Sequence, residues 1–347
     1  MNNMQNWNTA FFLLFLFFVA PLAHAQFLPQ SAPNLITVTM RPEHPGPLAR
    51  IELTAHSSSI DLSRSELRWH ANGKLLVSGA GATTAEVVAG PLGSVTSVSV
   101  SAQDGAARAE GSAVLRPVEL DLLWESDSYT PPFYRGRALP SAGSNIRLQA
   151  VARLKRAGGT LIPERDIVYT WRRNGSVVAS ASGKGKSSAT LPAPSLFGAD
   201  TISVSAASTD GVLEGSSSIR IPSLEPILFL YEDHPIFGVL YNRELSGQST
   251  VAESELTFAA VPYFASTESP DDRNLKWQWR INGREIPADP REPSMLTINA
   301  DRSFGRAQID LLLTHATNWF LQSAGSWAIT FSPPNAFEEQ GSFRDSP

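Results

Sequence analysis

The chain has 347 residues, with 28 Lys and Arg against 33 Asp and Glu, a net charge of −5 and no cysteine. The missing cysteines exclude disulfide staples, thiolate zinc sites and thiol catalysis together. The mild, interspersed charge excludes a phosphate-backbone binder, which needs a basic face, so no nucleic-acid partner is expected.

The uncharged apolar block 10–20 is followed by Pro21 and the small-residue pattern Ala23-His24-Ala25. That is the apolar region and cleavage site of a secretory signal peptide over 1–25, cut before Gln26. The block is short of the ~20 apolar residues a bilayer span needs. An uncleaved anchor stays open as the alternative, because no Lys or Arg precedes the block. Export predicts a secreted, periplasmic or cell-surface protein with no membrane span after cleavage.

From there, period-two alternation dominates, as expected of strands with one buried face. Ile51, Leu53 and Ala55 alternate with polar residues, as do Val98, Val100 and Ala102. In the middle of the chain Ile146, Leu148 and Ala150, then Ile202, Val204 and Ala206, do the same. Towards the end Leu256, Phe258 and Ala260 are followed by Leu275, Trp277 and Trp279, with Lys276, Gln278 and Arg280 on the opposite face. No stretch carries a capped stripe of helical period, so very little helix is expected.

One pattern recurs three times: a strand reaches a tryptophan, two residues follow, then Asn-Gly. The copies are Trp69 with Asn72-Gly73, Trp171 with Asn174-Gly175, and Trp279 with Asn282-Gly283. Asn-Gly reaches positive φ cheaply, as a tight hairpin requires. The tryptophans lie about 100 residues apart, the length of one β-sandwich. Asp104-Gly105 and Asp210-Gly211 mark a second hairpin in the first two copies, and Asn318-Trp319 sits near that place in the third. Corners at Leu92-Gly93, Phe197-Gly198 and Phe304-Gly305 precede it. Trp124-Glu125-Ser126-Asp127 also parallels Tyr231-Glu232-Asp233-His234, each leading on to further aromatics.

These features resemble tandem immunoglobulin-like or PKD-like β-sandwiches of bacterial surface proteins. The resemblance implies that Trp69, Trp171 and Trp279 are core residues of the third strand of each sandwich. The positions of an inter-sheet disulfide would be filled by Leu53, Leu148 and Phe258 on one sheet and Val100, Val204 and Leu311 on the other. The expected fold is all-β, with three tandem immunoglobulin-like sandwiches over 26–117, 118–222 and 223–333 and a polar tail over 334–347.

Motifs that carry chemistry are few. Gly183-Lys184-Gly185-Lys186-Ser187 ends like a phosphate loop, but the motif's first glycine is replaced by Ser180 and no helix follows. Glu125, Asp127, Glu232 and Asp233 sit at the domain edges, yet Ca²⁺ wants six or more oxygens. They read as solvated or paired with Arg135, Arg137 and Arg243. His44, His56, His70, His234 and His315 are scattered without zinc spacing. No metal, no cofactor and no catalytic residue is expected.

Aromatic residues are the remaining candidates. Tyr129, Phe133 and Tyr134, with Tyr231, Phe237 and Tyr241, recur ahead of two repeats and read first as packing against a neighbouring domain. Trp319, Phe320 and Trp327 are extra in the third repeat and are candidates for ligand contact. The expectation is a non-enzymatic, exported structural or adhesive protein of the cell surface or envelope, acting as a rod. The alternative is a ligand-recognition module that uses the third-domain aromatics, and the partner is an unidentified protein or glycan at the cell surface.

Overall fold

The structure is a computed structural model that describes residues 35–251, 255–299 and 305–331. The expected leader 1–25, the corner residue Phe304 and the polar tail lie outside those residues. The described residues are all-β, with a single 3₁₀ turn at Glu164–Asp166.

Strands β1 (Thr37–Arg41), β2 (Arg50–His56), β3 (Glu66–Ala71), β4 (Lys74–Ala80), β5 (Thr84–Val88), β6 (Thr96–Asp104) and β7 (Ala107–Leu115) form the first sandwich. Its sheets are ordered β1-β2-β5 and β4-β3-β6-β7. The second contains β8 (Glu119–Ser126), β9 (Asn145–Arg153), β10 (Ile167–Arg173), β11 (Ser176–Val177), β12 (Gly183–Lys184), β13 (Ser188–Pro192), β14 (Ala199–Ser208) and β15 (Glu214–Pro222). They make the sheets β13-β9-β8 and β11-β10-β14-β15, with β12 also on β10.

The third sandwich is larger. It holds β16 (Ile227–His234), β17 (Gly238–Glu244), β18 (Gln248–Val251), β19 (Glu255–Tyr263), β20 (Leu275–Ile281), β21 (Arg284–Ile286), β22 (Met295–Asn299), β23 (Gly305–His315) and β24 (Gln322–Phe331). Its sheets run β17-β16-β19-β22 and β18-β24-β23-β20-β21, and β18 joins β24 in parallel.

Alternation in the sequence becomes alternation in burial. Along β20, Leu275, Trp277 and Trp279 are buried while Lys276, Gln278 and Arg280 are exposed. Each pair of sheets closes on one apolar core, to which Leu53 and Val100, Leu148 and Val204, and Phe258 and Leu311 contribute from facing sheets. Hydrophobic burial closes the two sheets of each sandwich without a cysteine.

At the centre of each core an indole is fully buried: Trp69, Trp171 and Trp279. Each also makes one directed bond. The Nε1–H of Trp69 donates to the Ala82 carbonyl at 2.8 Å, that of Trp171 to Lys186 at 3.0 Å, and that of Trp279 to Pro293 at 3.0 Å. All three acceptors lie in the chain about to enter the opposite sheet. In each case the next carbonyl (Thr83, Ser187 or Ser294) accepts the N–H of an alanine on the neighbouring strand, Ala55, Ala150 or Ala260. The segment is thus held from both sheets at consecutive residues. The Gly-Lys-Ser stretch at 183–187 is the second copy of this segment, which accounts for it without a phosphate.

The Asn-Gly turns do more than bend. Asn72, Asn174 and Asn282 have φ of 48°, 50° and 51°, and each following glycine is also positive, the pattern of a type I′ hairpin. The Oδ1 of each asparagine accepts the backbone N–H of Ser97, Thr201 or Gln308 at 2.8–2.9 Å, and the same partner's carbonyl takes the asparagine N–H. Glycine in this place would make the turn and lose the tie.

Two repeat correspondences need correction. Trp124 pairs with Leu148 and faces the core, whereas Tyr231 pairs with Ala259 and faces out. The residue opposite Phe258 is Glu232, so the match of Trp124 with Tyr231 is off by one, and one residue of slip reverses the face. The corners also differ: the left-handed residue is Gly93 in the first and Phe197 itself in the second.

Replacing Trp171 by Ala should destabilise the second sandwich by about 3–5 kcal/mol. Trp171→Phe should cost about 1–3 kcal/mol through the unpaired Lys186 carbonyl. Denaturant melts of the full chain measure both, and curves matching wild type would contradict the central role of this indole.

Candidate functional site

In the sequence of β19, the apolar residues do not alternate. Phe258, Ala259, Ala260 and Val261 are all buried, and Phe264 and Ala265 follow. A strand buried on both faces needs a cover on its outer side. At 263–265 that cover comes from the second sandwich, whose connection 127–144 between β8 and β9 reaches over the third.

Serine and aspartate side chains hold the stem of that connection. Ser128 Oγ donates to the Leu139 carbonyl at 2.7 Å, and Asp127 accepts both the backbone and side-chain N–H of Asn145. Ser126 and Ser144 share a buried hydrogen bond at 3.2 Å. From this stem Tyr129 exchanges two backbone bonds with the third sandwich, its N–H to Ala265 at 2.8 Å and its carbonyl from Phe264 at 2.7 Å. Further along, the Pro140 carbonyl takes the Leu224 N–H, and the Ala142 carbonyl takes Asn318 Nδ2 at 3.0 Å. Gly143, at φ 96°, lies against that carboxamide, where any side chain would displace it.

Rings fill the space between. Tyr134 sits edge-on to Tyr263 and Phe264, with centroids 5.6 and 5.8 Å apart. Tyr263 is edge-on to Phe229 at 4.8 Å, and its hydroxyl bonds that of Tyr231 at 2.8 Å. Tyr241 stands 5.5 Å from Tyr231. Each such ring pair is worth ~0.5–1.5 kcal/mol beyond burial. Of the six tyrosines in the chain, only Tyr169 lies elsewhere, in the core of the second sandwich.

Burial pushes the Tyr129 phenol up to about 12, reinforced by Tyr241, Asp271 and Tyr263 nearby. Tyr231 and Tyr241 are raised as well, again chiefly by burial. The joint between the first and second sandwiches is thinner. There Val118 N–H meets the Pro45 carbonyl at 3.1 Å, and the Lys155 stem lies over Gly93.

The third-domain candidates separate. Trp319 is 91% exposed and Phe320 61%, at the hairpin tip between β23 and β24. His315 Nδ1 accepts the N–H of Thr317 and Asn318, and Asn318 Oδ1 accepts that of Phe320, so the tip is internally braced. Trp327 is 5% exposed: it pairs with Ile309, turns inward and lies across Gly325, where a Cβ would meet the ring at 2.0 Å. Trp327 is a core residue and offers no surface to a ligand.

The carboxylates at the domain edges are spoken for differently than expected. Glu125 pairs with Arg147 at 3.5 Å, while Arg137 stacks over the Trp124 ring at 4.5 Å. Among the described residues no group of three or more His, Cys, Asp or Glu is placed to hold a metal ion. No helix among them is long and apolar enough to cross a membrane.

The expectation of packing for the recurrent aromatics understated the arrangement. Phe133 and Tyr134 do not occupy a place equivalent to Tyr241; they meet it in one groove together with Tyr263. Tyr263 and Phe264 were missed altogether. Their signal was the unbroken apolar run 258–265, which is too continuous for a strand with one wet face.

No protein family and no curated protein matches the sequence. Among solved structures, the fibronectin(III)-like modules of Clostridium thermocellum CbhA share 15% identity, covering 54% of this chain and 94% of that one, at a TM-score of 0.25. Three N-terminal domains of the bacteriophage RB49 outer capsid protein Hoc share 14%, covering 87% and 99%, at 0.24. A Bacteroides ovatus mixed-linkage glucan utilization protein, SGBP-B with a heptasaccharide, shares 12%, covering 84% and 65%, at 0.25. At these identities the likeness concerns the fold alone, and at these TM-scores it bears on no ligand or partner of this chain.

A phenol with a raised folded pKa contributes its full stability below the ordinary value of 10 and loses it as pH climbs towards about 12. Urea melts should therefore show wild type losing stability across that window and Tyr129→Phe losing less. Equal losses would contradict the burial of Tyr129.

Proposed function

We propose that the chain is a non-enzymatic, exported structural or adhesive protein of the cell surface or envelope. In this reading residues 1–25 are removed, and the sandwiches 26–117, 118–222 and 223–333 act as a rod. The observation that carries it is the built joint of the second and third sandwiches. Backbone bonds from Tyr129 and Pro140, the Asn318 tie and a tyrosine cluster all serve to fix one sandwich on the next. Such a joint transmits force and orientation, which a tethered string of independent modules does not. The scattered histidines and paired carboxylates add nothing that resembles acid–base machinery.

Fractionation of producing cells should place the chain outside the cytoplasm, and the purified mature protein should begin at Gln26. Its X-ray scattering should give the long-tailed distance distribution of a rod. Retention inside the cell with residues 1–25 attached, or a globular distribution, would contradict the proposal.

A second reading, ligand recognition of a glycan or peptide, is favoured by Trp319 and Phe320 standing in solvent on a braced tip. Adjacent exposed rings make an apolar patch, and such patches mark interaction sites. Binding on a glycan or peptide array that disappears in Trp319→Ala supports it; binding unchanged in that variant contradicts it.

A further inference from the structure

The groove at the second joint has its own chemistry. It measures about 530 Å³ and is lined by Pro132, Phe133, Tyr134 and Arg135 from the second sandwich and by Val239, Tyr241, Asn242 and Tyr263 from the third. That volume falls within the ~300–1,000 Å³ of small-molecule sites.

Phe133 is the anomaly. Its φ is 67°, a region that costs a bulky residue about 1–2 kcal/mol and that Gly or Asn enters freely. Its ring is 90% exposed, so packing inside the protein returns nothing for that strain. Leu48 and Phe197 share the left-handed backbone and the exposure, but Phe133 stands on a groove beside three tyrosines. A ring kept in water at the mouth of a ring-lined groove is placed for something that arrives there.

The lining identifies the kind of ligand. Ring faces alternate with hydrogen-bonding groups: the Arg135 guanidinium, the Asn242 carboxamide and tyrosine hydroxyls. No carboxylate lines the groove, so it offers nothing to a basic peptide, and one arginine is too little charge to seat a polyanion. An amphipathic helix would need a broad dry trough, which a groove ringed by polar groups is not. A pyranose matches it: its C–H face stacks on an aromatic ring while its equatorial hydroxyls reach sideways to donors and acceptors.

Two of the rings beside Phe133 are held before any ligand comes. Tyr263 is fixed by Tyr231 and Phe229, and Tyr134 by Tyr263 and Phe264, so these two have little side-chain entropy left to lose on binding.

We infer that this groove is an oligosaccharide-binding site for neutral, linear glycans, with Phe133 and Tyr241 as stacking platforms and Arg135 and Asn242 as hydroxyl partners. The inference goes beyond the rod reading and is independent of the Trp319 tip. Because its walls come from two sandwiches, a bound glycan would bridge the joint.

The test uses the full mature chain with soluble penta- and hexasaccharides of β-1,4-glucan, β-1,3-glucan, β-1,4-mannan, α-1,4-glucan and β-1,4-linked N-acetylglucosamine, measured by titration calorimetry. Phe133→Gly relieves the backbone strain and should leave the melting temperature unchanged or higher while weakening binding about tenfold or more. Tyr241→Ala should weaken binding similarly while lowering the melting temperature through the lost Tyr231 contact, and Trp319→Ala should leave affinity unchanged. Binding lost in Trp319→Ala but kept in Phe133→Gly would overturn this site and favour the hairpin tip. No binding of any of these sugars by wild type would overturn it and leave the rod reading intact.

Discussion

Everything in the architecture depends on an N–H at the edge of a buried indole. A tryptophan in a sandwich core contributes area, but area has no direction and would tolerate several ways of closing the sheets. The bond from Nε1 to a carbonyl just before the opposite sheet begins picks one of them. The next carbonyl then bonds an alanine of that sheet. Consecutive residues of one segment are therefore committed to opposite sheets, and the register of the sandwich follows. A small residue on the receiving strand fits this arrangement, and Ala55, Ala150 and Ala260 occupy it in all three copies. A disulfide would fix the same two sheets, but this chain has no cysteine and reaches the same end by burial and one directed bond.

Much of this fold was legible. The tryptophan, the asparagine turn and the alternating strands each rest on local physics: period-two burial and the cost of positive φ. What the sequence concealed was the second use of each group. Nothing in Asn-Gly distinguishes a turn from a turn whose carboxamide also ties down the next strand, because that partner lies about 25 residues away. The face of Tyr231 is concealed for a similar reason. Matching its motif to Trp124 by letters ignores that one residue of slip inverts a strand, and only pairing partners reveal the slip.

The joint was less legible still. Its tyrosines are spread from 129 to 263, and no spacing rule brings a loop of one sandwich onto the outer sheet of the next. The available signal was negative, an apolar run at 258–265 too continuous to have a wet side. Of the extra aromatics in the third repeat, Trp319 and Phe320 stand in solvent while Trp327 packs inside, a distinction that hairpin register decides and composition does not. Among the described residues the first joint has no such ring cluster.

Hydrogen exchange of the indole N–H groups tests the central claim most directly. The account predicts that the signals of Trp69, Trp171 and Trp279 exchange only through global opening of their sandwiches, while the exposed Trp319 exchanges at once. Fast exchange at the three core indoles under native conditions would contradict it, because the bonds said to join the sheets would then be absent.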